Sequence, residues 1–140
     1  MSGDIYNLQR FVDAQAPVFD RVLAELHAGR KRSHWMWFIF PQVTGLGSSG
    51  MARTFAISGR AEAAAYLQHE VLGPRLRQCT DLVNRISGST IDPIFGYPDD
   101  LKFHSCVTLF AQVAPSEAIF QAALDKYFGG QPDAATLVRL

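Results

Sequence analysis

Apolar residues recur at helical spacing along this chain, and no stretch alternates apolar and polar convincingly over five residues. Stripes at three and four residues wrap into amphipathic helices, whereas a half-buried strand needs period two. That pattern argues against sandwiches, barrels and open sheets and predicts an all-α fold. Leu8, Phe11 and Val12 predict a short helix closed before Pro17; Val18, Phe19, Val22, Leu23 and Leu26 predict a second that Pro17 opens and Gly29 terminates. Ser48 or Ser49 is placed to cap a helix through Phe55 and Ile57, and 61–69 reads as an Ala-rich helix carrying Tyr66 and Leu67. Pro74 opens another, with Leu76, Cys79, Leu82, Val83 and Ile86 on one stripe, and 90–95 reads as one short turn. Pro98 and two aspartates start a longer helix with an inner face of Phe103, Cys106, Val107, Phe110 and Val113. The last helix carries Ile119, Ala122, Ala123 and Tyr127 and stops at Gly129-Gly130. The apolar run 35–40 would be a strand without a partner, so it reads as a buried helix.

At 140 residues the chain is one ordinary domain, with a core over about 8–128 and a short C-terminal tail. A composition 48% hydrophobic and 19% charged excludes a wholly disordered chain. Net charge is zero, which disfavours a nucleic-acid coat or a basic membrane binder. The longest apolar run is six residues, against roughly 20 for a membrane helix. Cys79 and Cys106 read as two buried thiols, and the polar start of the chain is no signal peptide, so a reducing cytoplasm is the expected location.

The segment from Gly29 to Gln42 does not look like scaffold. Arg30, Lys31 and Arg32 lie just before six large apolar residues that include both tryptophans. Between Glu25 and Glu62 there is no acid, while Arg30, Lys31, Arg32, Arg53 and Arg60 give the window a formal charge of about +5. Such local asymmetry inside a neutral molecule suits an anion site. Ser33 is then expected to cap a helix starting at His34, whose free N–H groups favour an anion. A solvated basic turn is the plainer reading of the three cations. Trp35 and Trp37 lie about 200° apart on a helix, so one can be core while the other lines a pocket and stacks on a planar ligand.

After Gln42 comes a Gly- and Ser-rich loop holding Gly45, Gly47, Ser48 and Ser49. A loop of this kind entering a helix can bring backbone N–H groups to a phosphate, although it also serves as a plain connector. It is neither a Walker loop nor a dinucleotide fingerprint, since no Gly-Lys-Ser/Thr follows and no strand precedes. A second polar cluster comprises Asp99, Asp100, Lys102, His104 and Ser105. An aspartate there commonly just caps its helix. Lys102 and Ser105 are three apart and share a face, so Asp100, held by them, is the candidate general base. His27, His34, His69 and His104 lack a metal-ligand spacing such as His-x-x-x-His, so no metal is expected, and no cofactor is implied.

Five segments resemble a known family: 29–42, 45–49, 72–76, 94–102 and Thr108-Leu109-Phe110. The chain is similar, from about Leu8 to Tyr127, to the bacterial domain-of-unknown-function family 1810, whose members are sometimes mislabelled calpastatin. The stretch from Gly29 to Gln42 is the most specific part of the likeness. The resemblance implies a compact multihelical fold and no established activity. Related chains often read Lys-Leu followed by Ser-Ser or Ser-Cys where this one has Lys102-Phe103-His104-Ser105-Cys106, so His104 carries little weight. A remoter likeness, in helical organisation only, is to the NAD- and ADP-ribose-associated N-glycosidases. A calpastatin-like inhibitor would be a long, polar, disordered chain, which this composition contradicts.

Two functions of different class follow. In the first, the chain binds a phosphorylated nucleotide-like ligand of the ADP-ribose or NAD type and hydrolyses a bond in it. Arg30, Lys31, Arg32, Ser33, His34, Gln42, Gly45, Gly47, Ser48 and Ser49 would hold the ligand, Trp37 would stack on a base, and Asp100, Lys102 and Ser105 would carry the chemistry. One cleft joining the basic turn, the glycine loop and the start of the Asp100 helix is then expected. In the second, segment 30–42 is a non-enzymatic patch for a protein or single-stranded nucleic acid.

Overall fold

The computed structural model describes residues 3–140, and among them ten helices and no extended strand. They are α1 (Gln9–Gln15), α2 (Phe19–His27), α3 (Met36–Ile39), α4 (Gly50–Thr54), α5 (Arg60–Gln68), α6 (Leu72–Arg85), α7 (Ile91–Phe95), α8 (Asp99–Val113), α9 (Ala118–Tyr127) and α10 (Ala134–Leu137). The all-α expectation holds. The run 35–40 is helical at its centre, and Trp35, Met36, Phe38, Ile39 and Phe40 are buried.

Helix α8 is the central post. It packs against α5, α7, α9 and α10, and every residue from Ser105 to Ala111 is buried. A helix apolar nearly all round must be enclosed by neighbours, and this one is. The expected inner face is buried from Phe103 to Phe110, whereas Val113 sits at the rim. On α9 the buried residues are Phe120, Ala123 and Leu124, while Ala122 faces out. Aromatic rings knit the core: Phe40 meets Phe103 edge-on at 5.0 Å, and Phe103 stacks on Phe95 at 5.0 Å. Such pairs add roughly 0.5–1.5 kcal/mol each beyond their buried area. Cys79 and Cys106 are both buried thiols.

Two local devices place the loops that matter later. Helix α2 ends in a Schellman turn: Gly29 has φ +75°, its N–H donates to Leu26 O, and the Arg30 N–H donates to Glu25 O. The chain therefore doubles back over Glu25. Residues 44–56 are closed into a loop by a parallel bridge between Val43 and Ile57, in which Thr44 N–H donates to Ile57 O and Ile57 N–H to Gln42 O, each at 2.8 Å. Helix α6 starts at Leu72, two residues before Pro74, and leaves Gly73 pressed on the end of α5; a Cβ there would lie 2.1 Å from the Leu67 carbonyl oxygen. The segment after 128, read as a tail, forms α10, which packs on α8 with Thr136 buried. No helix among the described residues is long and apolar enough to cross a membrane.

Candidate functional site

The basic turn is organised by the acid that precedes it. Glu25 is 8% exposed, and its carboxylate accepts four hydrogen bonds: from Arg32 N–H (2.7 Å), Ser33 N–H (3.0 Å), Ser33 O–H (2.6 Å) and the Trp35 indole N–H (3.0 Å). Burial alone raises its pKa, but those donors, Ser33 and Arg32 first, outweigh it and hold Glu25 below its ordinary value. Ser33 is thus no helix cap. Its hydroxyl is spent on Glu25, and α3 starts at Met36 with Trp35 ahead of it, not at His34. The cations are answered locally as well. Lys31 is nearly buried and pairs with Asp99 at 2.8 Å, its ammonium 5.1 Å from the Trp35 ring. The Arg30, Arg32 and His34 side chains are exposed, and Arg30 and Lys31 edge a separate open depression with Asp92 and Gly96.

The cleft lies on the other side of Trp37. Its narrow end encloses about 270 Å³ between α3, the 44–56 loop and α8, with Met36, Phe40 and Phe55 as floor and Thr44, Gly45, Arg53 and Lys102 around it. Its wider end, about 450 Å³, is bounded by Leu46, Ser48, Ser49, Leu101, Ser105 and Asp133. Trp37, Gln42, Gly47, Ala52 and Lys102 border both ends, so the two adjoin. The pair of tryptophans divides as expected, although Trp35 precedes the helix: Trp35 is fully buried, and Trp37 is half-buried at the cleft wall with the Lys102 ammonium 4.9 Å from its ring centre. A cation at that distance is held by the ring quadrupole.

Of the residues singled out in the sequence, the fold gathers Trp37, Gln42, Gly45, Gly47, Ser48, Ser49, Lys102 and Ser105 along this cleft. Arg30, Lys31, Arg32, Ser33 and His34 do not line it; the basic turn reaches it only through Lys31–Asp99–Lys102, the second pair at 3.5 Å. Asp100 is outside the lining too, and neither Lys102 nor Ser105 holds it. Lys102 pairs with Asp99, and Ser105 lies 2.8 Å from Asp133. The reason is helical register: a step of three residues turns only about 60°, so Lys102 stands beside both Asp99 and Ser105, whereas Asp100 lies about 160° round the helix from Lys102. The same spacing rule that joined Lys102 to Ser105 would have chosen Asp99.

Asp133 and Arg139 were missed because they lie beyond the expected core. Asp133 carries a legible signal, an Asp three residues before Thr136, and it caps α10 by accepting from Thr136 N–H (3.2 Å) and Thr136 O–H (2.6 Å). Arg139 donates to the Gly45 carbonyl at 3.2 Å and ties the chain end to the loop. Gly45 has φ +99°, and a Cβ there would lie 2.7 Å from Arg139 Nε. The loop–helix junction matches expectation in one respect: Ser49 caps α4 by accepting from Ala52 N–H. With five residues, however, α4 has little dipole to offer an anion.

A comparison with curated proteins gives no match. Among solved structures, the chain is similar to the conserved hypothetical protein Rv1873 from Mycobacterium tuberculosis, with 55% identity, a TM-score of 0.97 and 98% of each chain covered. A family profile described as a protein of unknown function (DUF1810) matches residues 5–140. That match takes in the α3 segment, the glycine loop, α8 and the α10 segment that together wall the cleft, and the chain belongs to this family.

Proposed function

We propose that the cleft binds a phosphorylated, nucleotide-like ligand of the ADP-ribose or NAD type. The observation that carries the reading is the pairing at its centre, a half-buried indole with an ammonium 4.9 Å from the ring, over an apolar floor. A planar base has rings to stack on there, and a phosphate has Lys102, with Arg53 at the narrow end. The cleft is concave, mostly apolar, and carries a few convergent polar groups, the usual character of a small-molecule site.

Binding is what these groups support. Hydrolysis loses its expected base, because Asp100 stands outside the lining. The alternative, an aromatic patch for a protein or a single strand, has one ring to work with: Trp37 is the only apolar side chain of 35–40 that is not buried.

Isothermal titration with ADP-ribose and NAD tests the proposal. Saturable binding that Trp37→Ala and Lys102→Ala each weaken, with both variants folded, supports it. No binding of either compound at millimolar concentration overturns it.

A further inference from the structure

The cleft is not uniformly cationic, and the exception restricts what can occupy it. Asp133 lies in the wall of its wider end, 2.8 Å from the Ser105 hydroxyl. Its Oδ2 takes every donor the protein offers: Ser105 O–H, Thr136 N–H and Thr136 O–H. Oδ1 accepts from no group among the described residues. A carboxylate fixed through one oxygen is oriented, and its other oxygen is left free for a donor from outside.

A phosphate next to that oxygen would meet like charge, so the anionic part of a ligand belongs nearer Lys102, which borders both ends. A planar base fits the apolar floor of the narrow end. What remains for the wide end is a group that donates hydrogen bonds and carries no negative charge. Sugar hydroxyls meet that requirement, and acidic side chains commonly take ribose hydroxyls in nucleotide sites. The geometry points to Asp133 as a specificity-determining residue that accepts hydrogen bonds from a ribose diol set beyond the phosphates. The ligand class is therefore a nucleoside diphosphate bearing a sugar, rather than a free nucleotide. This rests on the binding reading above.

The test compares ADP-ribose with ADP on the wild-type chain and on Asp133→Asn by isothermal titration. The wild type is expected to bind ADP-ribose roughly tenfold or more tightly than ADP, the usual scale for a hydrogen bond to a charged group. Asp133→Asn is expected to remove that preference while changing ADP affinity less than about threefold. The amide still has an oxygen to cap α10, and circular dichroism checks the fold. 2″-Deoxy-ADP-ribose on the wild type asks the same question without a variant, and it should bind like ADP. Equal wild-type affinity for ADP-ribose and ADP, full affinity for the deoxy compound, or a folded Asp133→Asn that keeps the preference overturns the assignment of Asp133 and leaves the cleft as a nucleotide site. Failure of the wild type to bind ADP and ADP-ribose alike overturns the binding reading beneath it.

Discussion

The Glu25 carboxylate accepts the Trp35 indole N–H at 3.0 Å, so an acid in the last turn of α2 also anchors the largest buried side chain that follows the basic turn. The Schellman turn at Gly29 makes this possible by reversing the chain within a few residues. Cutting this one carboxylate therefore releases the turn and orphans the indole together.

Acid should weaken the fold through Glu25. Its folded pKa lies below its ordinary value, so the stability it contributes is complete above roughly pH 4.3 and is lost as pH falls through the lower folded value. Urea unfolding between pH 3 and 7 should show a steeper acid loss in the wild type than in Glu25→Gln. Glu25→Ala should cost about 2–4 kcal/mol at neutral pH, since it strands buried donors. Parallel pH curves for wild type and Glu25→Gln would contradict the assignment.

Lys31 and Lys102 share Asp99 but should fail differently. Lys31→Ala removes a nearly buried ammonium 2.8 Å from Asp99 and should cost about 1–3 kcal/mol of stability, with little effect on ligand affinity. Lys102→Ala breaks a looser, more exposed contact at 3.5 Å and should cost less than about 1 kcal/mol, yet weaken ADP-ribose binding roughly tenfold or more. Chemical denaturation and titration on the same two variants separate the roles; reversed outcomes would move the site to the other side of the turn.

Gly73→Ala should be destabilising although it lies within the first turn of α6. The added methyl would meet the Leu67 carbonyl oxygen at 2.1 Å, and that oxygen is backbone, so the α5–α6 junction must open. A loss of about 1–3 kcal/mol is expected from overpacking, where an exposed helical glycine would gain from the same change. Unchanged or raised thermal stability would show that the two helices can part there freely.

Iodide should quench only the part of the tryptophan signal that comes from Trp37. Trp37 is half-buried beside an ammonium that attracts the anion, whereas Trp35 is fully buried. Trp37→Phe should abolish the quenchable component. If quenching survives in that variant, Trp35 is reachable and the packing of the turn is looser than described.

Helical period is a local property, set by residues three and four apart, and it was legible for nine of the ten segments, for the caps at Ser49 and Gly29, and for the burial of one tryptophan against the other, whereas α10 read as a tail. The lining residues Trp37, Gln42, Lys102 and the glycine loop were also within reach, because an aromatic, a cation and a loop before a capped helix are local signals. Which charges meet is another matter. The +5 window reads as an anion site only while Glu25 and Asp99 are out of view, and chain order cannot show that a carboxylate before the window points into it or that Lys31 spends its charge on a residue 68 positions later. The same holds for the far wall of the cleft. Ser105 meets Asp133 across 28 residues and Arg139 meets Gly45 across 94, contacts made only when α10 folds back against α8. Coulomb and hydrogen-bond partners act through space at about 3 Å, so packing alone selects them.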